Sequence, residues 1–201
     1  MTIPTQNQCF QMLHDSAMPE HIVAHSLQVC RVARLLTGAL IQRGAALDMD
    51  LVTASALLHD ITKPRSFETG ENHCETGAAL LAEKGYGRVG KIVGQHVRLD
   101  AYAPGGEPTE AGIVNYADKR VLHDQVASLD RRMAYILERY GKAPDSDRRI
   151  RWLWDVSAEL ERRIYRDLSF APADLDGQIG DVDNSPEMKA FKAVAAACPD
   201  P

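Results

Sequence analysis

Apolar residues recur at helical spacing along almost the whole chain. Ile22, Val29, Val32 and Leu36 fall on one face of a segment that Pro19 opens and Gly44 ends. No run of alternating apolar and polar residues bounded by hairpin turns competes with this period, so the chain reads as all-α. A short N-terminal helix precedes the long one, which runs through about Arg43. The next begins with Asp48 as cap, carries Leu51, Ala54, Leu57 and Leu58, and finishes before Pro64. RSFETGE reads as a loop. Asn72 precedes Glu75 by three positions, a capping-box pattern that starts a helix through Lys84. YGRVGKIVGQHV supplies another, whose glycines point to close packing. RLDAYAPGGEPTE is the clearest loop and a candidate lid. One long helix is predicted from about Thr109 to Tyr140 and a last major one from about Asp147 to Leu168. The tail after Pro172 reads as weakly structured until PEMKAFKAVAAA. The expected organisation is a main helical unit over residues 1–143 and a C-terminal helical extension over 144–201 packed on the same domain.

At 201 residues the chain is long enough to bury a sizeable core, and its 25% charged and 45% hydrophobic residues are ordinary for a globular protein. The formal charge of −5 argues against a general polyanion binder, because non-specific nucleic-acid affinity comes from basic surface. No nucleic-acid partner is expected. Cys9, Cys30, Cys74 and Cys198 form no CxxC pair and read as reduced thiols rather than a disulfide frame. The opening MTIPTQNQCFQMLHD has neither the basic start nor the apolar core of a signal peptide, and no later segment has the length and apolarity to cross a bilayer. A cytoplasmic location with no membrane partner is the expectation.

Several ionisable residues interrupt the apolar faces. His25 sits three residues after Ile22 and four before Val29, and His96 follows Ile92 and Val93 by four and three. Asp118 has Val114, Val121 and Leu122 at three and four residues' distance. His59 and Asp60 end an apolar helix, and His73 lies in the first turn after Asn72, with Gly77 leaving room for close approach. Each alone has an ordinary structural explanation, such as a core histidine donating to a backbone carbonyl. Burying them all without compensation costs roughly 1–3 kcal/mol each, and more for a charged carboxylate. A divalent cation removes that cost. Imidazole and carboxylate donors suit iron, manganese, nickel or zinc better than magnesium.

The order His25 in HSLQVCRVA, His59–Asp60 in LLHDITK and Asp118 in IVNYADK resembles the HD superfamily of metal-dependent phosphohydrolases over roughly residues 20 to 125. The resemblance implies a helical bundle of the HD-domain type with extra C-terminal helices. His73 in NHCETGAALL and His96 in VGQHVRL are similar to histidines with which the HDIG-type branch holds a second metal. It implies that His25, His59, Asp60 and Asp118 bind one ion and Asp60, His73 and His96 a second, with Asp60 bridging. The implied cofactors are two divalent ions, iron or manganese favoured and nickel or zinc as alternatives. HDIT replaces the commoner HDIG, a change expected to alter the turn more than the ligands. VRLDAYAPGG stands where the HD-GYP branch has a paired His, a Glu and Gly-Tyr-Pro, which argues against cyclic-di-GMP. The branch that cleaves diadenosine tetraphosphate has a comparable ligand set, but no motif here specifies adenosine.

Two adjacent ions lower the pKa of a shared water and neutralise charge on a phosphoryl group during in-line displacement. The expected reaction is therefore hydrolysis of a phosphomonoester or phosphodiester of a nucleotide or other small phosphorylated metabolite. Asp60 and Lys63 are the candidate catalytic residues, and the resemblance has Lys63 contact a non-bridging phosphate oxygen. The alternative for Lys63 is a solvated position at a helix C-terminus. Arg98, Lys119 and Arg120 are weaker candidates for that contact, expected at the surface. His14, His21 and His123 are assigned no ligand role. Arg148, Arg149, Arg151, Arg162, Arg163 and Arg166 read as a solvated helix face, and Trp152 and Trp154 as packing or interface residues. Two other readings stay open: a catalytically weak regulatory or ligand-binding module, and a single-metal nucleotidase in which His73 and His96 serve substrate or structure. The helices after residue 125 are compatible with covering the core, shaping the pocket or forming a homodimer.

Overall fold

Side-chain caps set most of the helix starts. Thr5 and Gln8 form a reciprocal box that opens α1 (Gln6–Asp15), and Pro19 precedes α2 (Glu20–Gln42), which closes before Gly44 at φ +92°. Asp48 accepts the Leu51 N–H to open α3 (Met49–Leu58). The segment expected to be a loop then folds as α4 (Lys63–Thr69), with Pro64 in its first turn. There the missing N–H costs nothing, so the proline that ends one helix starts the next. Asn72 accepts the Cys74 N–H to open α5 (His73–Glu83), while its side-chain amide, rather than its backbone N–H, donates to Glu75. The cap is therefore one-sided. α6 (Gly87–Val93) ends three residues before His96, which lies in the following turns rather than on the helix.

The computed structural model describes residues 2–100 and 105–198, so part of the candidate lid, residues 101–104, lies outside the described residues. The long helix expected from Thr109 to Tyr140 is two, α7 (Glu110–Lys119) and α8 (Leu129–Tyr140). Between them β1 (Val121–Leu122) and β2 (Gln125–Val126) form a small antiparallel hairpin that turns at His123, φ +58°. Helical apolar spacing continues across the hairpin because Val121, Leu122, Val126 and Leu129 are all buried, so periodicity gave no sign of the break. α9 (Pro144–Tyr165) follows, then a 3₁₀ turn (Pro172–Asp174), α10 (Leu175–Ile179) and α11 (Pro186–Ala197). The tail is thus more ordered than its composition indicated. Among the described residues no helix is long and apolar enough to cross a membrane.

Helix α2 is the centre of this all-α bundle. It packs against α3 and α7, α3 also touches α1 and α6, and α9 lies across α7 and α8. The last helices return to the start of the chain. Phe191 of α11 meets Phe10 of α1 edge to face at 5.8 Å, and the Arg31 guanidinium donates to the carbonyls of Ile179, Gly180 and Asp181. Leu175, Val182 and Met188 join the same apolar cluster as Leu27 and Leu36. Helices α5 and α6 approach closely at Gly90, where a Cβ would stand 2.7 Å from the Ala78 carbonyl oxygen.

Arg120 and Arg163, both expected at the surface, are buried instead. Arg120 Nη1 lies 2.5 Å from the Tyr116 hydroxyl and 3.1 Å from Glu161, Nε donates to Ala127 O at 2.7 Å, and Nη2 to Pro172 O at 2.8 Å. One planar fork therefore joins α7, the hairpin exit, α9 and the 3₁₀ turn. Arg163 donates to Gly106 O at 2.7 Å. The other arginines singled out on α9 and at its end, Arg148, Arg149, Arg151, Arg162 and Arg166, are exposed.

Removing Arg120 leaves Glu161 with the Tyr116 hydroxyl but takes a donor from the Ala127 and Pro172 carbonyls, so Arg120→Ala is expected to lower unfolding free energy by about 1–3 kcal/mol in denaturant titration. Gly90→Ala forces a backbone shift between α5 and α6 and should cost about 1–3 kcal/mol in the same assay. Gly177→Ala, where an added Cβ meets nothing within 4 Å, serves as the neutral control.

Candidate metal centre

Six side chains from five parts of the chain converge on one interior space. His25 comes from the middle of α2, His59 and Asp60 from the turn after α3, His73 from the first residue of α5, His96 from the turns after α6, and Asp118 from the end of α7. His25, His59, Asp60, His96 and Asp118 are buried, with His59 at 0% and Asp60 at 1% exposure. His73 is the more open, its side chain 23% exposed.

Three of the imidazoles are held the same way. Nδ1 of His25, His59 and His96 lies 2.6, 2.8 and 2.7 Å from the backbone carbonyls of His123, Ala56 and Val93. A carbonyl only accepts, so each Nδ1 carries the hydrogen, and in the neutral ring each Nε2 presents a lone pair. Those lone pairs meet carboxylate oxygens. His25 Nε2 is 3.2 Å and His59 Nε2 3.8 Å from Asp118 Oδ1, and His59 Nε2 is 3.3 Å from Asp60 Oδ2. Asp60 Oδ1 lies 3.5 Å from Nε2 of both His73 and His96, which are 3.1 Å from each other.

Acceptors facing acceptors in a dry interior repel unless positive charge lies between them. Burial pushes the His59 pKa down despite the two carboxylates, keeping that ring neutral with its lone pair toward Asp60. His96 goes the other way. Burial lowers it, but the Asp60 carboxylate 3.5 Å away and Cys74 carry it up to about 10, so these residues draw a proton into the place where a cation fits. His59 Nε2 and Asp60 Oδ1 are buried without a hydrogen-bond partner, an arrangement costing roughly 1–3 kcal/mol per atom. Divalent cations in the two halves of the donor set would take up these atoms, so the residues fit metal. Ring orientation by a backbone carbonyl is also the usual support of a metal-bound histidine.

A lysine pins each carboxylate. Lys63 Nζ donates to Asp60 Oδ2 at 2.6 Å, and Lys119 Nζ to Asp118 Oδ2 at 3.0 Å. Burial opposes ionisation of both acids, but His59 and Lys63 around Asp60, and Lys119, His25 and Arg132 around Asp118, hold them well below the usual carboxylate range. Lys63 opens α4 rather than ending α3, and its side chain, 30% exposed, lies with His73 on the more open side of the site. Lys119, expected at the surface, is buried and also donates to His96 O at 2.6 Å, an oxygen shared with Asn115 Nδ2 at 3.0 Å. Those two α7 residues hold the turn that carries His96. Thr62, in the place where HDIG has glycine, donates to His73 O and accepts from Thr76, each at 2.9 Å, and so joins the doublet's turn to α5.

Two residues near the donors escaped the sequence reading. Cys74 Sγ lies 3.9 Å from Nε2 of both His73 and His96. Burial raises its thiol, yet hydrogen bonds with the two histidines bring it down to about 6. Its place beside His73 in a capped first turn was the available signal. Arg132 of α8 reaches to 3.7 Å from Asp118 Oδ1, and nothing in its sequence surroundings marked it. Of the histidines assigned no ligand role, His21 and His123 are exposed, and His123 enters only through its carbonyl. Arg98 is exposed.

A bundle that turns four imidazoles and two carboxylates inward is the architecture of a cation-binding helical domain. The HD-domain family model matches residues 22–121, which include all six donors. An uncharacterized protein of Methanocaldococcus jannaschii is 30% identical over 144 residues, covering 65% of this chain and 84% of the relative. The chain belongs to the HD-domain family, within the superfamily of metal-dependent phosphohydrolases. No solved structure matches it.

Because a cation relieves strain present only in the folded chain, manganese, ferrous iron or zinc should raise the thermal midpoint of metal-stripped protein. The gain amounts to about 2.7 kcal/mol when free metal is a hundredfold above Kd, and chelator reverses it. The rise should shrink strongly in Asp60→Asn, as read by calorimetry.

Proposed function

We propose that the chain hydrolyses a phosphate ester of a nucleotide or another small phosphorylated metabolite, with two divalent ions held by His25, His59, Asp60, His73, His96 and Asp118. The observation that carries this reading is the position of Asp60. One of its oxygens faces His59 and the other faces both His73 and His96, so its carboxylate stands between the two halves of the donor set. Divalent ions bound there supply Lewis-acid charge and an activated water for in-line attack on phosphorus.

The rest falls to the protein's own groups. Asp60 and Asp118 keep fixed orientations because Lys63 and Lys119 each hold one of their oxygens. Lys63 is the residue for a non-bridging phosphate oxygen. Burial works against its charge, but Asp60 and Asp118 outweigh it and raise its pKa, so the ammonium persists at neutral pH. It can swing from Asp60 toward an ester entering beside His73. Arg132, near Asp118, offers a second cation for the same phosphoryl group. The partly exposed edge at Lys63 and His73 leaves the entering ester one side of approach.

Supplied with manganese or ferrous iron, the purified chain should release phosphate or a nucleotide product from a panel of nucleotides and sugar phosphates. Asp60→Asn should abolish turnover, and Lys63→Met should cut kcat by about 10²–10³ while metal content stays unchanged, as expected for loss of one charge-stabilising donor. Elemental analysis of the wild type should give near two ions per chain, and His73→Ala near one. Metal bound with no product anywhere on the panel would favour the regulatory reading. One ion per chain, insensitive to His73→Ala, would favour the single-metal one.

A further inference from the structure

We propose that Cys74 is a sulfur donor to the cation held by His73 and His96, giving the second metal position a thiolate alongside its imidazoles. This inference rests on the metal-binding part of the proposed function. Cys74 Sγ, His73 Nε2 and His96 Nε2 form a triangle with sides of 3.1, 3.9 and 3.9 Å. Around a tetrahedral zinc-like ion, with metal–nitrogen near 2.1 Å and metal–sulfur near 2.3 Å, donor pairs stand about 3.4–3.6 Å apart. The observed sides bracket that range, so small side-chain shifts bring the three donors onto one ion. Asp60 supplies the independent sign that a cation belongs here. Its Oδ1, buried without a hydrogen-bond partner, lies 3.5 Å from the same two nitrogens.

Local structure explains why the sulfur is in reach. The Asn72 cap receives the Cys74 N–H, so helix α5 starts at His73 and Cys74 occupies its first turn. His73 and Cys74, adjacent in sequence, both come within reach of His96 Nε2. Cys9 and Cys30 provide the contrast. Both are buried thiols that burial pushes up to about 12, and their sulfurs donate to backbone carbonyls, Pro4 O and Thr53 O. On binding, the Sγ–H bond gives its proton to solvent and the sulfur lone pair forms the bond to the ion, with no change of oxidation state. A thiolate softens the position and biases it toward zinc, ferrous iron or cobalt over manganese.

Cobalt(II) titrated anaerobically into the metal-stripped full chain tests this. Thiolate coordination gives a sulfur-to-cobalt charge-transfer absorption in the near ultraviolet, expected to saturate with one of the two bound equivalents. Cys74→Ser should lose that band while visible cobalt bands and the other equivalent remain, and Cys30→Ser should keep it. X-ray absorption of the zinc-loaded wild type should add a sulfur scatterer at about 2.3 Å, a readout independent of how the variants fold. Cobalt or zinc bound without the band and without the scatterer overturns the sulfur assignment alone. A wild-type chain that binds no cobalt overturns the proposed function with it.

Discussion

The site depends on three hydrogen bonds from histidine Nδ1 to backbone carbonyls. Each fixes a ring in the tautomer that turns an electron pair inward, and the carbonyls belong to three different parts of the chain: Ala56 in α3, Val93 at the end of α6, and His123 in the hairpin. The carboxylates are then held by lysines, Asp118 on the side away from the rings and Asp60 through the oxygen that also faces His59. What results is a concentration of electron density that the apolar core alone does not compensate. The bundle tolerates this because Leu27, Leu36, Leu57, Leu58 and Ile113, none of them exposed, bury enough apolar surface to offset a few kcal/mol of local strain.

Much of the fold was legible because it is written in local chemistry. Asp48, Asn72 and Thr109 cap where polar oxygens precede apolar spacing, and Gly44 stops α2 in a backbone conformation that favours glycine. The donor positions were legible for a related reason: an ionisable residue on an apolar face is conspicuous. What stayed hidden was tertiary. The β1–β2 hairpin interrupts a helical pattern without changing it, because every apolar residue that a continuous helix would bury is buried by the hairpin too. Pro64 was read as an ending when it is equally a beginning. Lys119 and Arg120 looked like surface charges because nothing local announces that α7 is enclosed by α2, α3 and α9. Arg132 gained its place only through the fold that brings α8 beside Asp118.

The C-terminal segments illustrate how a site is stabilised from a distance. Arg31 lies on α2 six residues after His25, and its guanidinium gathers carbonyls from the end of α10 and the residues beyond. Gln28, between them, donates to Gly180 O at 2.9 Å. The face of α2 next to the donors is thereby tied to residues 179–181. Among the described residues the extension also covers α1 through Phe191. These contacts give the last helices a part in holding α2 in register, separate from any part in recognising an ester.

The bond between His25 and the His123 carbonyl spans 98 positions. During synthesis the ribosome therefore delivers most of the donors well before the residue that orients the first of them. A nascent chain shorter than that hairpin carries histidines with no fixed aim, and metal caught at that stage meets a loose chelate rather than a shaped pocket. Convergence of the six side chains waits on this long-range closure, which couples the shape of the centre to completed topology.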